Sequence, residues 1–202
     1  MSRTRLWLLM AAFAVAVAVY AGVLALVPQM RPPFLRDSAM PLALVVHFTG
    51  GAVAMAVGPF QFRTGPRARR TATHRLLGRV YVIAILASGI AGFAMAFVSQ
   101  GGLVAHVGFG LLAVSWLATT IQAYLTIRRG DTLEHQRWIV RSFALTYAAV
   151  TLRIYLPLSL ASGVPFEVAY PIIAWACWVP NLAIAEWLFV PRARRVAATV
   201  GV

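Results

Sequence analysis

Four histidines stand at similar distances along this 202-residue chain, each near one end of a long apolar stretch. They are His47, His74, His106 and His135, separated by 27, 32 and 29 residues. The first and third lie one to two helical turns inside one end of their stretches, and the other two open theirs at the opposite end. Two facing imidazoles with a gap between them supply what bis-histidine haem ligation requires. The pattern predicts two b haems. His47 and His106 would bind the outer haem iron. His74 and His135 would bind the inner one.

The alternation also predicts a duplicated two-helix unit. The segment from His47 to His74 parallels the segment from His106 to His135, and an arginine follows within two residues of the second histidine in each. A two-fold axis along the membrane normal would make the outer histidines face each other, and likewise the inner ones. For any one histidine taken alone, a structural role explains its presence better than a ligand role. The haem hypothesis therefore depends on all four.

Small residues and one arginine stand at helical spacing from these histidines. Gly92 is 18 residues after His74, and five helical turns place both on one face. Arg153 is likewise 18 residues after His135. Its guanidinium would neutralise a propionate of the outer haem, which would explain a charge that costs at least about 2.5 kcal/mol within a membrane. The small residues that follow the outer histidines on their own faces are Gly50, Gly51, Ala54, Gly58, Gly110 and Ala113.

Ordinary structural roles explain the same residues. Glycine and alanine faces are common in membrane helices because they allow close backbone approach. Arg153 would equally pair with Glu167, and Arg141 with Glu186. The two inner histidines lie among arginines, where they would bind lipid phosphate or be solvated. The alternative hypothesis is therefore a haem-free membrane protein, a small-solute transporter or an assembly partner, whose histidines are structural.

No other site chemistry is indicated by the residues. A His-x-x-x-His pair suitable for zinc is absent from the sequence. Five acidic residues do not build a proton relay, and no glycine-rich phosphate loop or Ser–His–Asp set occurs. Cys177, the single cysteine, excludes an intramolecular disulfide and is predicted to be a buried, inert thiol.

Long apolar helices must position these residues. Hydrophobic residues make up 61% of the chain and charged residues 11%, with a mean hydropathy of +0.80, whereas soluble domains carry roughly 25% charged residues. A membrane helix needs about 20 apolar residues. Asp131 followed by Glu134 resembles a capping pair that starts helix five before the membrane. The sequence predicts an all-α polytopic protein, one six-helix transmembrane bundle over residues 1–202. Its spans are predicted at 6–27, 42–62, 80–98, 103–127, 138–158 and 168–190.

All 18 basic residues are arginines, and their placement predicts how the chain crosses the membrane. Two precede the first stretch, six lie between the second and third, four lie between or just inside the fourth and fifth, and three follow the sixth. Between stretches, the opposite face receives only Arg31 and Arg36. The segregated arginines are Arg3, Arg5, Arg63, Arg67, Arg69, Arg70, Arg75, Arg79, Arg128, Arg129, Arg137, Arg141, Arg192, Arg194 and Arg195.

This segregation predicts six spans with both termini in the cytoplasm. The complete absence of lysine, with abundant alanine and valine, is typical of a GC-rich bacterial genome. The predicted location is therefore a bacterial inner membrane. The net charge of +13 does not indicate nucleic-acid binding, because the arginines fall in short clusters between apolar stretches. The basic loop at 63–79 is predicted to be a cytoplasmic loop with affinity for anionic lipid headgroups.

Six short segments form a distinctive set within residues 42–187. They are GPFQF at 58–62, HRLLGRVY at 74–81, HQRWIVRS at 135–142, LRIYLP at 152–157, WVPN at 178–181 and AEW at 185–187. Together they resemble an uncharacterised family of bacterial membrane proteins, catalogued as domain of unknown function 2306. That resemblance implies a membrane protein and no particular activity.

The histidine layout is separately similar to cytochrome b561-type proteins. In that family, four consecutive helices of a six-helix bundle supply alternating haem ligands, and electrons cross the membrane. The resemblance implies a two-haem oxidoreductase in the lipid bilayer that passes electrons between a donor such as quinol and an acceptor. This chain departs from the family in placing His74 and His135 nearer the membrane surface. It also lacks the lysine-rich patches by which some members bind ascorbate.

Overall fold

A computed structural model describes residues 3–36, 38–62 and 71–190, and within them the chain is 86% helical with no strand. Six helical segments of this part are long and apolar enough to cross a membrane. We number them spans one to six: Thr4–Leu26, Pro41–Gln61, Ala72–Ala96, Gly102–Arg128, Thr132–Ala161 and Phe166–Phe189. The predicted all-α, six-helix class is confirmed.

Spans three and five begin well before the apolar runs that predicted them. Span three starts eight residues before position 80, because the Thr71 side chain caps the helix by accepting from the His74 backbone N–H at 3.2 Å. Span five starts six residues before position 138, where an Asp131 carboxylate oxygen accepts from the Glu134 N–H at 3.0 Å. The predicted capping pair is thus confirmed. Polar capped turns extend both helices beyond the apolar core.

Three of the spans consist of shorter helical pieces. Span five divides at Tyr147 into Thr132–Thr146 and Ala148–Ala161. Span six divides at residues 177–178 because Pro180 has no N–H to continue the preceding helix. Its pieces are Phe166–Ala176, Val179–Ile184 and a π-helical turn Ala185–Phe189. Span two is the helix Pro41–Val57 and a 3-10 turn Gly58–Gln61. A 3-10 turn Pro28–Met30 and a short helix Pro33–Arg36 connect spans one and two.

The two faces of the bundle are named after the arginine pattern. The outer face holds the ends of the spans at Leu26, Pro41 and Ala161, and the inner face holds the ends at Gln61 and Thr132. Part of the predicted inner-face arginine set, at positions 63, 67, 69, 70, 192, 194 and 195, lies outside the described residues.

Spans two to five form a ring. Spans two and three, three and four, and four and five pack against one another, and span two also touches the first half of span five. In the described ranges, the diagonal pairs two–four and three–five share at most marginal backbone contact. Span one packs outside the ring on span two and the outer half of span five, and span six packs on spans four and five. Cys177 is fully buried, as predicted.

Candidate functional site

The His47 imidazole is held by span three. Its Nδ1 lies 2.9 Å from the carbonyl oxygen of Ser88 and 3.2 Å from Ser88 Oγ, which itself donates to the His47 carbonyl at 2.7 Å. Because a carbonyl only accepts, Nδ1 carries the proton and Nε2 is the basic nitrogen. No hydrogen bond to Nε2 occurs among the described residues. Donation from Nδ1 to a carbonyl is the arrangement that orients metal-binding histidines.

Gly92 of span three gives the His47 ring its space. A Cβ atom at Gly92 would lie 2.7 Å from Nδ1 and 2.9 Å from Cε1 of His47. The prediction of a glycine at the depth of the outer histidines is therefore confirmed. The space above that glycine is filled by the imidazole itself.

His106, near the outer start of span four, turns toward the loop that precedes it. Its Nε2 lies 2.7 Å from the Ser99 carbonyl oxygen, so Nε2 carries the proton and Nδ1 is the basic nitrogen. No hydrogen bond or ring contact joins His106 to His47 in the described part of the chain. Ligation of iron through Nε2 of His106 would require the ring to leave Ser99.

The inner histidines lie at the capped starts of spans three and five. His74 is half-buried in the first turn of span three, where its backbone N–H donates to Thr71. His135 Nδ1 lies 2.8 Å from the Ala123 carbonyl oxygen of span four, which assigns the proton to Nδ1 and makes Nε2 the basic nitrogen of the neutral ring. His135 thus matches His47: each ring is oriented by a backbone carbonyl of a neighbouring span.

The small-residue face of span two serves close helix packing. A Cβ atom at Gly50 would lie 2.7 Å from the Ala84 carbonyl oxygen and 2.8 Å from Ser88 Cβ, and one at Gly58 would overlap the Phe143 ring. These contacts favour the packing explanation over a cofactor at this face. The corresponding position on span four differs, since no atom of the described residues lies within 4 Å of a Cβ built at Gly110.

Arg153 lies inside span five against two aromatic rings. Its guanidinium carbon is 5.4 Å from the ring centroid of Tyr20 and 5.9 Å from that of Phe48, and Nη1 donates to the Ala149 carbonyl at 3.0 Å. Its Nε is buried and has no hydrogen-bond partner in the part of the chain that the structure describes. The alternative pairing with Glu167 is wrong, because no ion pair joins the two within residues 3–36, 38–62 and 71–190.

The second expected ion pair forms near the inner face. Arg141 Nε and Nη2 each donate to one carboxylate oxygen of Glu186 at 2.8 Å, a bidentate geometry. The Arg141 guanidinium also lies 4.7 Å over the Trp138 ring. The pairing is confirmed, but the Glu186 side chain is 49% exposed in the bundle, so this pair is peripheral and not buried.

A cluster of buried hydroxyl groups was not anticipated from the sequence. Tyr81 Oη lies 3.1 Å from Ser142 Oγ and 2.9 Å from Thr146 Oγ1, which also accepts from Trp116 Nε1 at 2.8 Å. Thr120 Oγ1 lies 2.7 Å from Ser142 Oγ. The cluster joins spans three, four and five across the ring. Hydroxyl residues within otherwise apolar stretches were the available signal.

The chemistry of the donor set suits bis-histidine haem ligation in part. No group of three or more His, Cys, Asp or Glu able to hold a metal ion gathers within the described ranges, but a b haem needs only two imidazoles. His47 and His135 have the required tautomer, with Nε2 basic. His106 does not offer Nε2 in this arrangement. An apolar groove between spans two and three, lined in part by Val45, Thr49 and Val80, includes none of the four histidines.

Comparison with known proteins and protein families identifies the family of this chain. No curated protein and no solved structure matches the chain. A family model described as "Predicted membrane protein (DUF2306)" matches residues 44–189. The matched range takes in spans three to six, almost all of span two, the four histidines and Arg153. More than half of the chain is covered, and this chain therefore belongs to the DUF2306 family of predicted membrane proteins.

Proposed function

We propose that this membrane protein is a two-haem b-type cytochrome of a bacterial inner membrane, passing electrons between a donor such as quinol and an acceptor across the bilayer. His47 and His106 would hold the outer haem. His74 and His135 would hold the inner haem. One observation carries the proposal: four successive spans of a ring each bear one half-buried histidine, alternately near its two faces.

The pairing is supported by the separation of the diagonal backbones of the ring, although the Tyr81 hydroxyl group bridges spans three and five through Ser142 and Thr146. Spans two and four carry the outer histidines, spans three and five the inner ones, and within the described ranges neither diagonal pair has more than marginal backbone contact. A planar cofactor between helices needs such separation. Bis-histidine haem iron supplies one-electron exchange between its ferric and ferrous states.

The histidine hydrogen bonds add support at two of the four positions. Nδ1 of His47 and of His135 donates to a backbone carbonyl, which fixes the ring and raises the basicity of Nε2. His106 would have to exchange its Ser99 hydrogen bond for the metal. The buried cluster around Tyr81 lies seven residues, about 10 Å, along span three from His74, and its packed side chains would keep water from the layer between the haems.

The proposed orientation places both termini in the cytoplasm, because the arginines between spans collect at the inner face. Quinol is proposed as the donor because it dissolves in the bilayer and so reaches the ring without a charged docking patch. The sequence has no lysine with which to build an ascorbate-binding patch of the kind found in some b561-type proteins.

A haem-free transporter or assembly partner is the second candidate. The observation that favours it is that Nε2 of His106, the nitrogen that would bind the outer haem iron, already has a backbone partner in the Ser99 carbonyl. The His47 ring also fills the space at Gly92. On this alternative the imidazoles stabilise the outer ends of the spans and bind no metal.

Histidine variants purified after expression with excess haem precursor separate the two candidates. On the haem proposal, His47→Ala or His106→Ala removes about half of the bound haem, and the double variant loses no more than either single one. Changing His74 or His135 removes the other half, since each ligand pair controls one haem. On the haem-free alternative, no haem is present and the four substitutions change thermal stability independently.

A further inference from the structure

The Arg153 guanidinium has a hydrogen-bond partner on one side, and none is found among the described residues on the other. Nη1 donates to the Ala149 carbonyl at 3.0 Å, and this is the only hydrogen bond of the side chain within the described residues. Nε is buried without a partner. The Nε–Nη2 edge, with which arginine binds a carboxylate or phosphate in two parallel hydrogen bonds, therefore has no acceptor from the described part of the chain.

The described residues around Arg153 compensate its charge but supply no acceptor for the Nε–Nη2 edge. Tyr20 of span one and Phe48 of span two face the guanidinium at 5.4 and 5.9 Å, which gives cation–π attraction. The basic His47 Nε2 has no hydrogen bond among the described residues, and His47 lies within electrostatic reach of Arg153. No carboxylate of the described chain pairs with the arginine. Ionisable groups in a membrane interior otherwise pair with one another or with backbone carbonyls.

The position of Arg153 suits a ligand that enters from the outer face. It lies eight residues from the outer end of span five at Ala161, which is about 12 Å along the helix. Spans one, two and five meet there, and span one lies outside the ring on the same two spans. An amphiphile would reach the arginine with its anionic group while its apolar part stays against the aromatic rings.

We propose that Arg153, flanked by Tyr20 and Phe48, forms a binding site for the carboxylate or phosphate of an amphiphilic ligand in the outer half of the bundle. Two sources carry that chemistry: an anionic lipid or fatty acid of the bilayer, or a propionate of the outer haem. Only the second source rests on the proposed function. The site itself stands without it.

Thermal melting of the detergent-purified full chain tests the site, with oleate as the probe at an alkaline pH that ionises it. At about 100-fold excess of oleate over its Kd, the melting midpoint of the parent should rise by about 5 to 10 °C. Oleyl alcohol, which lacks the charge, should give no comparable rise. Arg153→Met should abolish the oleate shift, and Arg129→Met, the same substitution at an exposed inner-face arginine, should keep it.

Arg153→Lys keeps the charge but not the fork, so it should bind oleate about tenfold more weakly than the parent, the loss of one charge-assisted hydrogen bond. If Arg153→Met does not fold, the oleate shift of Arg153→Lys tests the site in its place. Equal shifts in the parent and in either Arg153 variant would overturn the proposal.

Reconstitution with haem and with its dimethyl ester distinguishes the two sources. If the propionate is the ligand, the parent should bind the ester at least about tenfold more weakly than haem, and Arg153→Met should remove that difference. Equal binding of both forms by the parent assigns the site to the bilayer amphiphile, provided that the oleate shift is present. If the parent binds neither haem nor the ester, the haem proposal alone is contradicted. The anion site at Arg153 is then still tested by the oleate experiment.

Discussion

Replacing Gly92 by alanine tests the contact between spans two and three at His47. The new Cβ would lie 2.7 Å from His47 Nδ1 and 2.9 Å from Cε1, so the imidazole must move away from the Ser88 carbonyl. Gly110→Ala is the matched control, because it changes a helical glycine with nothing within 4 Å of the added atom.

The expected free-energy change follows from three contributions. Alanine favours the helix over glycine by about 0.8 to 1 kcal/mol at both positions. At Gly92 alone, overpacking costs about 1 to 3 kcal/mol, and loss of the His47–Ser88 hydrogen bond costs about 0.5 to 1.5 kcal/mol more. We therefore expect Gly92→Ala to be destabilised by about 2 to 4 kcal/mol relative to Gly110→Ala. For a chain of this length, that difference corresponds to a lower melting midpoint by about 5 to 15 °C.

Thermal melting of the two variants in detergent measures this difference, and a double-variant cycle locates its cause. With His47→Ala in the background, the ring is absent and Gly92→Ala should no longer be destabilising. Equal melting of Gly92→Ala and Gly110→Ala would refute the described contact. If Gly92→Ala lowers the melting midpoint by the same amount in the His47→Ala background, a neighbour other than the imidazole limits the space at Gly92.

Three further predictions concern topology, the inner ion pair and the hydroxyl cluster. A reporter fused after Arg129 should behave as cytoplasmic and one fused after Gly163 as periplasmic, and a periplasmic signal at Arg129 would contradict the orientation. Arg141→Ala and Glu186→Ala should show a coupling energy of only about 0.2 to 1 kcal/mol in a double-variant cycle, because the carboxylate is half exposed; coupling above about 3 kcal/mol would indicate a buried pair. Tyr81→Phe should lower stability by about 0.6 to 1.7 kcal/mol, the range for hydrogen bonds within membranes, and an unchanged melting midpoint would mean that its hydroxyl bonds contribute nothing.

The six spans could be predicted from the sequence because membrane crossing depends on the length and apolarity of a helix. Both properties can be read from the local composition of the chain. The same holds for the helix start at Asp131, where a short-range cap fixes the boundary. The pairing of Arg141 with Glu186 was predictable because few charged partners exist at that face. Gly92 could be placed at the depth of His47 from helical periodicity alone.

Side-chain direction was not predictable in the same way. Periodicity placed His106 at the right depth, but its Ser99 hydrogen bond depends on the turn between spans three and four. The predicted pairing of Arg153 with Glu167 is wrong because the arginine lies against the rings of Tyr20 and Phe48. These two rings belong to spans that are distant from Arg153 in the sequence. The cluster around Tyr81 likewise depends on three spans meeting, information that no local pattern carries.

The most direct test of the proposed function is the haem content of the unaltered protein. The full chain, expressed with excess haem precursor and purified in detergent, should carry two b haems per chain, with a sharp Soret band and with α and β bands that appear on reduction. A colourless protein under these conditions would contradict the electron-transfer proposal and leave the haem-free membrane protein as the remaining explanation.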